Sequence, residues 1–314
     1  MGRSVQSSQK KVKMTYNVRT PILLLAFNRP DTTEKVFSAI RKVKPKKLFI
    51  SVDGPRNDFE KIKVDEVKKI VSNVDWPCTV KKIFNKKNLG LMQTATNAFN
   101  YLFKNAEQGI ILEDDCLANE SFFKFCEEML QKYKDNEKIM HISGDNFQRG
   151  WKRNNYSYYF SKNPHGWGWA TWRRAWKKYD ATMKNYPTLR KNLKNIFPNK
   201  IERTHIRNML DDAYFNNQNA VDIRWMYTII TNDGLAILPN KNLVTNIGFG
   251  NDSTHTKPVD SYLSLPSFDM DFPLIHPQII ARDGISDERY AKWVFKNKIK
   301  KYFLVFTGIN RLLK

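Results

Sequence analysis

Residues 109–116 read Gly-Ile-Ile-Leu-Glu-Asp-Asp-Cys, an apolar run of strand type that ends in three consecutive acids. Carboxylates packed this closely repel one another, and a fold tolerates them best with a cation in their midst. Oxygen donors select hard Mg²⁺ or Mn²⁺ over Zn²⁺. The C-terminal end of a buried strand is also where α/β sheets bind phosphate-bearing ligands. Glu113, Asp114 and Asp115 are therefore candidates for a metal-assisted phosphate site. The plainer alternative is that Asp114 or Asp115 caps a helix beginning near Asn119.

Five further constellations could contribute. Asp53 precedes Gly54 at the end of another apolar run, where a carboxylate accepts hydrogen bonds from a nucleotide base, or where Asp-Gly simply turns. Asn88-Leu89-Gly90 opens a helix whose backbone N–H groups offer an anion site or an ordinary N-cap. Trp167, Trp169 and Trp172 alternate with small residues, among them Gly166 and Gly168. Aromatic faces stack on sugar or base rings and glycine admits close approach, the alternative being a core cluster. In Val221–Trp225 an acid, Asp222, sits among apolar residues beside Arg224, which suits a general base or an ion pair. The rival Asp211-Asp212 pair lies on a polar helix and reads as solvated. Residues 246–256 form a polar loop with Gly248 and Gly250 as hinges, a lid in character, with His255 placed to reach a diphosphate or a metal.

The elements that must position these groups follow from apolar patterning. Pro21–Phe27 reads as a buried parallel strand, broken by Asn28-Arg29-Pro30-Asp31. Asp31 or Thr32 is placed to cap a helix running to about Val43. Leu48–Val52, Thr79–Phe84 and Gly109–Leu112 read as strands, with helices at about Phe59–Ser72 and Leu91–Phe103. The alternation predicts an α/β fold, a mostly parallel sheet with covering helices and right-handed crossovers. Beyond Asp115 the pattern loosens: a helix at about Ser121–Tyr133, a strand at Ile139–Ser143, a helix near Ile201–Asn216 and short strands near Thr228–Ile237. The expected division is a disordered basic lead-in (1–19), a main domain (20–285) with a nucleotide half (20–117) and an aromatic-rich acceptor half (118–285), and a basic C-terminal helix (286–314).

With 314 residues, 41% of them hydrophobic and 13% aromatic, the chain can build a sizeable core. Cys78, Cys116 and Cys126 form neither a disulfide framework nor a Cys-x-x-Cys zinc pair, which suits a reducing compartment such as the cytoplasm. The net charge is +22. Residues 1–19 hold five Lys/Arg and residues 291–314 seven, with no acid in either, so the ends supply 12 of that excess. Such ends favour a polyanionic neighbour. No run approaches the ~18–20 apolar residues of a spanning helix, and the polar N-terminal stretch is not a secretory signal.

Taken in order, Ala26-Phe27-Asn28-Arg29-Pro30, Ser51–Arg56, Asn88–Leu91, Leu112–Cys116, Gly166-Trp167-Gly168-Trp169 and Asn242–Gly250 resemble a family. Over about residues 20–257 the chain is similar to GT-A-fold nucleotide-diphospho-sugar transferases. Within them it most resembles the bacterial group distantly related to the Golgi N-acetylglucosaminyltransferase I. The resemblance implies a Rossmann-like sheet and an Asp-x-Asp element in which Asp115 ligates Mn²⁺ or Mg²⁺, helped by His255, while Glu113 and Asp114 lie near ribose and sugar. It implies that Asp53 reads the base, usually uracil, hence a UDP-sugar donor, and that Phe27, Asn28, Arg29, Asn88 and Gly90 border the nucleotide. Asp222 matches the acid that deprotonates the acceptor hydroxyl in inverting members, and Trp167, Gly168, Trp169 and Trp225 would wall the sugar and acceptor. One departure is that the Golgi enzyme has Trp-Asp-Asp-Trp where this chain has Val-Asp-Ile-Arg-Trp.

The acceptor expected on this reading is a glycan or lipid-linked sugar of surface polysaccharide or glycoconjugate synthesis. Phe295, Ile299, Tyr302 and Phe306 would share a helical stripe flanked by lysines, able to lie on an anionic inner leaflet or to dock on the domain. Three rivals remain in view. A sugar nucleotidyltransferase would want a Gly-rich loop after the first strand, where Ala-Phe-Asn-Arg-Pro stands instead. Nucleic-acid binding would explain +22 but not three acids at a strand end. A glycan-binding protein without catalysis would turn over no donor.

Overall fold

In the computed structural model, residues 16–216, 220–249 and 264–306 are described, the side chains of the last helix as far as Asn297. The chain folds as α/β. An eight-stranded sheet runs β3-β2-β1-β4-β8-β6-β9-β7, and a small antiparallel ribbon pairs β10 with β5.

The first four strands are β1 (Ile22–Ala26), β2 (Lys47–Val52), β3 (Thr79–Phe84) and β4 (Gln108–Glu113), all mutually parallel. Between them lie α1 (Pro30–Val43), α2 (Asp58–Ser72) and α3 (Leu91–Asn105). β1 is buried on both faces, as a central strand of a covered parallel sheet must be. Ile22, Leu24 and Ala26 join the core that includes Val36, Phe37 and Ile40 of α1. Leu23 and Leu25 join Ala98, Phe99 and Leu102 of α3 on the other face. β3 closes this side of the sheet as a largely exposed edge carrying Lys81 and Lys82, charges that discourage pairing with another chain.

The strand order contains the functional clue. The chain winds outward from β1 through β2 to β3, then returns to place β4 on β1's other flank. The crevice between the C-terminal ends of β1 and β4 is thus a topological switch point, where open α/β sheets bind ligands. Register puts Leu25 opposite Glu113 and Ala26 opposite Val52, so the acid turn, Phe27 and Asp53 share one edge.

The second half completes the sheet. β5 (Cys116–Ala118), α4 (Glu120–Lys132), β6 (Ile139–Ser143), β7 (Tyr158–Ser161) and β8 (Trp169–Trp172) follow. β8 inserts antiparallel between β4 and β6, with Trp169 facing both Ile111 and Ser143. A short α5 (Arg173–Trp176) leads to α6 (Tyr186–Ile196), α7 (Lys200–Phe215) and α8 (Val221–Thr231), which pack around Tyr186, Leu193, Phe197, Leu210, Met226 and Tyr227. β9 (Leu235–Pro239) and β10 (Val244–Asn246) precede α9 (Gly284–Phe306).

Two expectations need correction. Thr228–Ile237 is not a pair of strands: residues to Thr231 belong to α8, and only Leu235–Pro239 extends. α8 is buried nearly all round, with Trp225 and Ile229 on the sheet side and Met226, Tyr227 and Ile230 on the helical side, so its apolar run carries no amphipathic period. The N-cap of α1 is Arg29 rather than Asp31 or Thr32, with Pro30 opening the first turn. The capping alternative for Asp114 and Asp115 also fails, because Asn119 caps α4 with its own side chain, which accepts from the Phe122 N–H at 3.0 Å.

α9 docks through Ala291 and Val294, while Phe295 is exposed. Its base is locked by Arg282, which pairs with Glu202 of α7 and, at 2.7 Å, with Asp287, itself bound by the Ser161 hydroxyl. The side chains of Ile299, Tyr302 and Phe306 lie outside the described residues, as do residues 1–15 of the basic lead-in and 307–314. Among the described residues no helix is long and apolar enough to cross a membrane.

Candidate functional site

A cavity of 560 Å³ opens at the switch point. β1 supplies Phe27 and Arg29 from its C-terminal turn, β2 supplies Asp53 and then Arg56, and β4 supplies Glu113, Asp114 and Asp115. Asn88, Gly90 and Leu91 come from the turn into α3. The far wall is Gly166, Trp167, Asn246 and the first turn of α8 with Asp222 and Ile223, and Asp212 of α7 stands at the rim.

The acid turn is tied to its neighbours. Asp114 accepts the Phe27 N–H at 3.0 Å and pairs with the Arg29 guanidinium. Arg29 also donates to Asp115 at 2.9 Å. The backbone just after β10 lies against the turn, with the Ile247 N–H donating to the Asp115 carbonyl at 2.8 Å. At Gly248 an added Cβ would lie 2.3 Å from Asp115 Oδ2, so only glycine permits this approach.

Six carboxyls line the cavity; besides Asp53 and the rim residue Asp212 they are Glu113, Asp114, Asp115 and Asp222, with Arg29 among them. Burial, reinforced by Asp115, Asp222 and Asp114, pushes the Glu113 carboxyl up to about 8. Asp114 is raised chiefly by burial, held back by Arg29 and the Phe27 N–H. Burial disfavours charge on Arg29 too, but Asp114 and Asp115 outweigh it and hold the guanidinium above its usual range.

This predicts a pH-dependent cost. Between pH ~4.5 and ~8 folded Glu113 keeps a proton that the unfolded chain has lost, so its contribution to stability falls as pH rises and flattens above that window. Glu113→Gln removes the group. Its melting temperature relative to the parent should rise as pH is taken from 5 to 8, and a pH-independent difference would refute the assignment.

The donor set suits a divalent ion in one way. Among the described residues no three His, Cys, Asp or Glu side chains are arranged to hold a metal alone. One or two carboxylates with phosphate oxygens completing the shell is the usual arrangement for Mg²⁺, and the excess of carboxyls here favours such a cation. Asp115 would be its protein ligand. His255 lies outside the described residues.

Several candidates have other partners. Asp53 accepts from Gly54 N, Leu89 N, Gly90 N and Asn85 Nδ2 at 2.9–3.0 Å. The N–H groups of Leu89 and Gly90, expected as a free anion site, are therefore taken by Asp53's own carboxylate. Asn88 donates to the Gly54 carbonyl at 2.9 Å, and Asn28 turns to Glu60 at 3.2 Å. Gly168 has φ +65° and abuts Val244, a packing position rather than a cavity wall. Trp169 and Trp225 are buried beneath the cavity. They line a 30 Å³ chamber shared with Glu113, Asp222, His141 and His165. Trp167 is the tryptophan that faces the main cavity.

One charged lining residue was given no role in the sequence reading, and another was read as solvated. Arg56, inside a quoted motif, lies over the Phe27 ring, 5.4 Å from its centroid. Asp212 faces the cavity although its neighbour Asp211 is engaged by Arg190 and Tyr186.

No protein-family model and no curated protein matches the chain. Among solved structures it is similar to the mannosyltransferase PcManGT from Pyrobaculum calidifontis, solved with GDP-Man and Mn²⁺: 13% identity and TM-score 0.36, over 52% of this chain and 47% of that one. It is also similar to a 4-diphosphocytidyl-2C-methyl-D-erythritol synthase from Anaerococcus prevotii DSM 20548, at 10% identity and TM-score 0.33, over 54% of this chain and 77% of that one. The match thus spans about half the length of the mannosyltransferase. These are remote likenesses, and the ligands named belong to those proteins.

Proposed function

We propose that this chain is a metal-dependent glycosyltransferase of GT-A type, moving a sugar from a nucleotide diphosphate to a hydroxyl of a glycan or lipid-linked acceptor with inversion. The observation that carries the reading is the convergence, in one cavity at the switch point, of the acid turn with Asp222 and Trp167 on the opposite wall. In the proposed layout residues 20–117 hold the nucleotide and residues 118–285 the acceptor.

The base and ribose would lie between Phe27, Arg56, Asp53 and Asn88, and the sugar between Glu113 and Trp167. A divalent ion at Asp115 would neutralise charge on the departing diphosphate. Asp222 would accept the proton of the acceptor hydroxyl as that oxygen attacks the anomeric carbon from the face opposite the leaving group. Trp167 would stack on a sugar ring and exclude water that would otherwise consume the donor. Residues 289–314 hold eight Lys/Arg and no acid. An anionic inner membrane leaflet is the surface we propose for them, which would bring the enzyme to lipid-linked acceptors.

The test is a panel of UDP-, GDP-, CDP- and dTDP-sugars assayed for Mn²⁺-dependent release of the nucleoside diphosphate. One donor, with UDP-sugars first, should be hydrolysed slowly by the parent and not by Asp115→Ala. Absence of release, together with no thermal shift from any nucleotide with metal, would dispose of the reading.

A further inference from the structure

The acid turn already contains a cation, and it belongs to the chain. Arg29 reaches both carboxylates at once, Asp114 through one terminal nitrogen and Asp115 Oδ2 through the other. Asp114's second oxygen accepts the Phe27 N–H, so both of its oxygens have a protein partner. Over Asp115 the Gly248 backbone closes in: an added Cβ there would meet Asp115 Oδ2 at 2.3 Å and Arg29 Nη1 at 2.8 Å.

We infer that Arg29 is a place-holder for the divalent ion, making metal entry conditional on an arriving phosphate. The inference rests on reading the cavity as a nucleotide-sugar site. A divalent ion on Asp115 Oδ2 would sit against the guanidinium, and the two like charges oppose each other at that range. A guanidinium also has a second class of partner it binds in the same forked manner, namely phosphate. Arg29 is suited to change partners. Its backbone is fixed as the N-cap of α1, while its side chain faces the cavity and keeps about a fifth of its surface open. A diphosphate entering the cavity draws the guanidinium off Asp115, and the freed carboxylate then takes the metal beside the same phosphates. By linkage, metal and diphosphate each tighten the other, and Arg29 carries part of that coupling.

The consequence is measurable without turnover. Mn²⁺ binding to the full chain is followed by calorimetry and by the paramagnetic resonance of free Mn²⁺, with and without UDP, and with GDP in parallel. The parent should bind Mn²⁺ weakly alone and at least tenfold more tightly with one of the diphosphates. Arg29→Gln should bind Mn²⁺ alone at least tenfold more tightly than the parent, and the gain from diphosphate should shrink correspondingly. Arg29→Lys keeps a charge but loses the fork and should fall between the two. If Arg29→Gln does not fold, the Lys variant decides: Mn²⁺ affinity above the parent's supports the inference, and affinity equal to it overturns it. A folded Arg29→Gln that binds Mn²⁺ no more tightly than the parent overturns the inference alone, provided the parent still binds Mn²⁺ with diphosphate. Absence of Mn²⁺ binding in every protein, with or without diphosphate, overturns both the inference and the glycosyltransferase reading.

Discussion

Asp222→Asn is expected to slow acceptor-dependent transfer by about 10²–10⁴-fold, the usual worth of a positioned general base. The side chain projects from the first turn of α8 into the cavity and is exposed to it, so stability should change by less than about 0.5 kcal/mol. Asparagine preserves shape but cannot take a proton. The loss should therefore fall on kcat, with donor affinity measured by thermal shift unchanged. The helix N-terminus favours a negative charge at this position. Asp212 on the rim is the control. Asp212→Asn should retain most activity; if it carries the loss and Asp222→Asn does not, the base belongs to α7.

The second large effect is on the scaffold. Trp225→Ala should cost about 3–5 kcal/mol of stability, the range for deleting a large buried aromatic. The indole is 2% exposed and packs against Trp169, Trp176 and Tyr179. Its Nε1–H donates to His141 Nδ1 at 3.1 Å, which leaves the other ring nitrogen to donate to the His165 carbonyl at 2.9 Å. Burial drives His141 down to about 3, so the ring is neutral and this arrangement fixes its tautomer. Truncation removes packing and also strips a buried acceptor of its donor. Trp225→Phe separates the two contributions: it keeps most of the packing and should cost about 1–3 kcal/mol, the penalty for the orphaned acceptor. Urea midpoints for both variants measure this, and a Trp225→Ala protein within about 1 kcal/mol of the parent would show the cluster to be loosely packed. The link to function is direct, because His165 adjoins the Gly166-Trp167 wall of the cavity.

Much of the fold was written locally. Pro21–Phe27 and Leu48–Val52 announce strands because a covered parallel strand must be apolar or β-branched along its length, and each is followed by a polar break that starts a helix. The acid turn announced itself for the same reason: three charges directly after a buried strand have no packing explanation. The chain by itself thus determined the α/β class, the first four strands and the groups at their C-terminal ends. Tertiary structure decided the rest, through contacts that leave no local periodicity. α8 is apolar all round because it lies between two cores, so its run of Ile and Thr could not be told from strands until both neighbours were in place. Asp53 stood alone at a strand end until the fold brought Leu89 and Gly90, 36 and 37 residues on, to donate to it. Arg29 was a turn residue until the switch point set it against Asp114 and Asp115, 85 and 86 residues away. A sequence shows which residues can be charged or buried, but charges compensate across space, and only the closed sheet determines which ones meet.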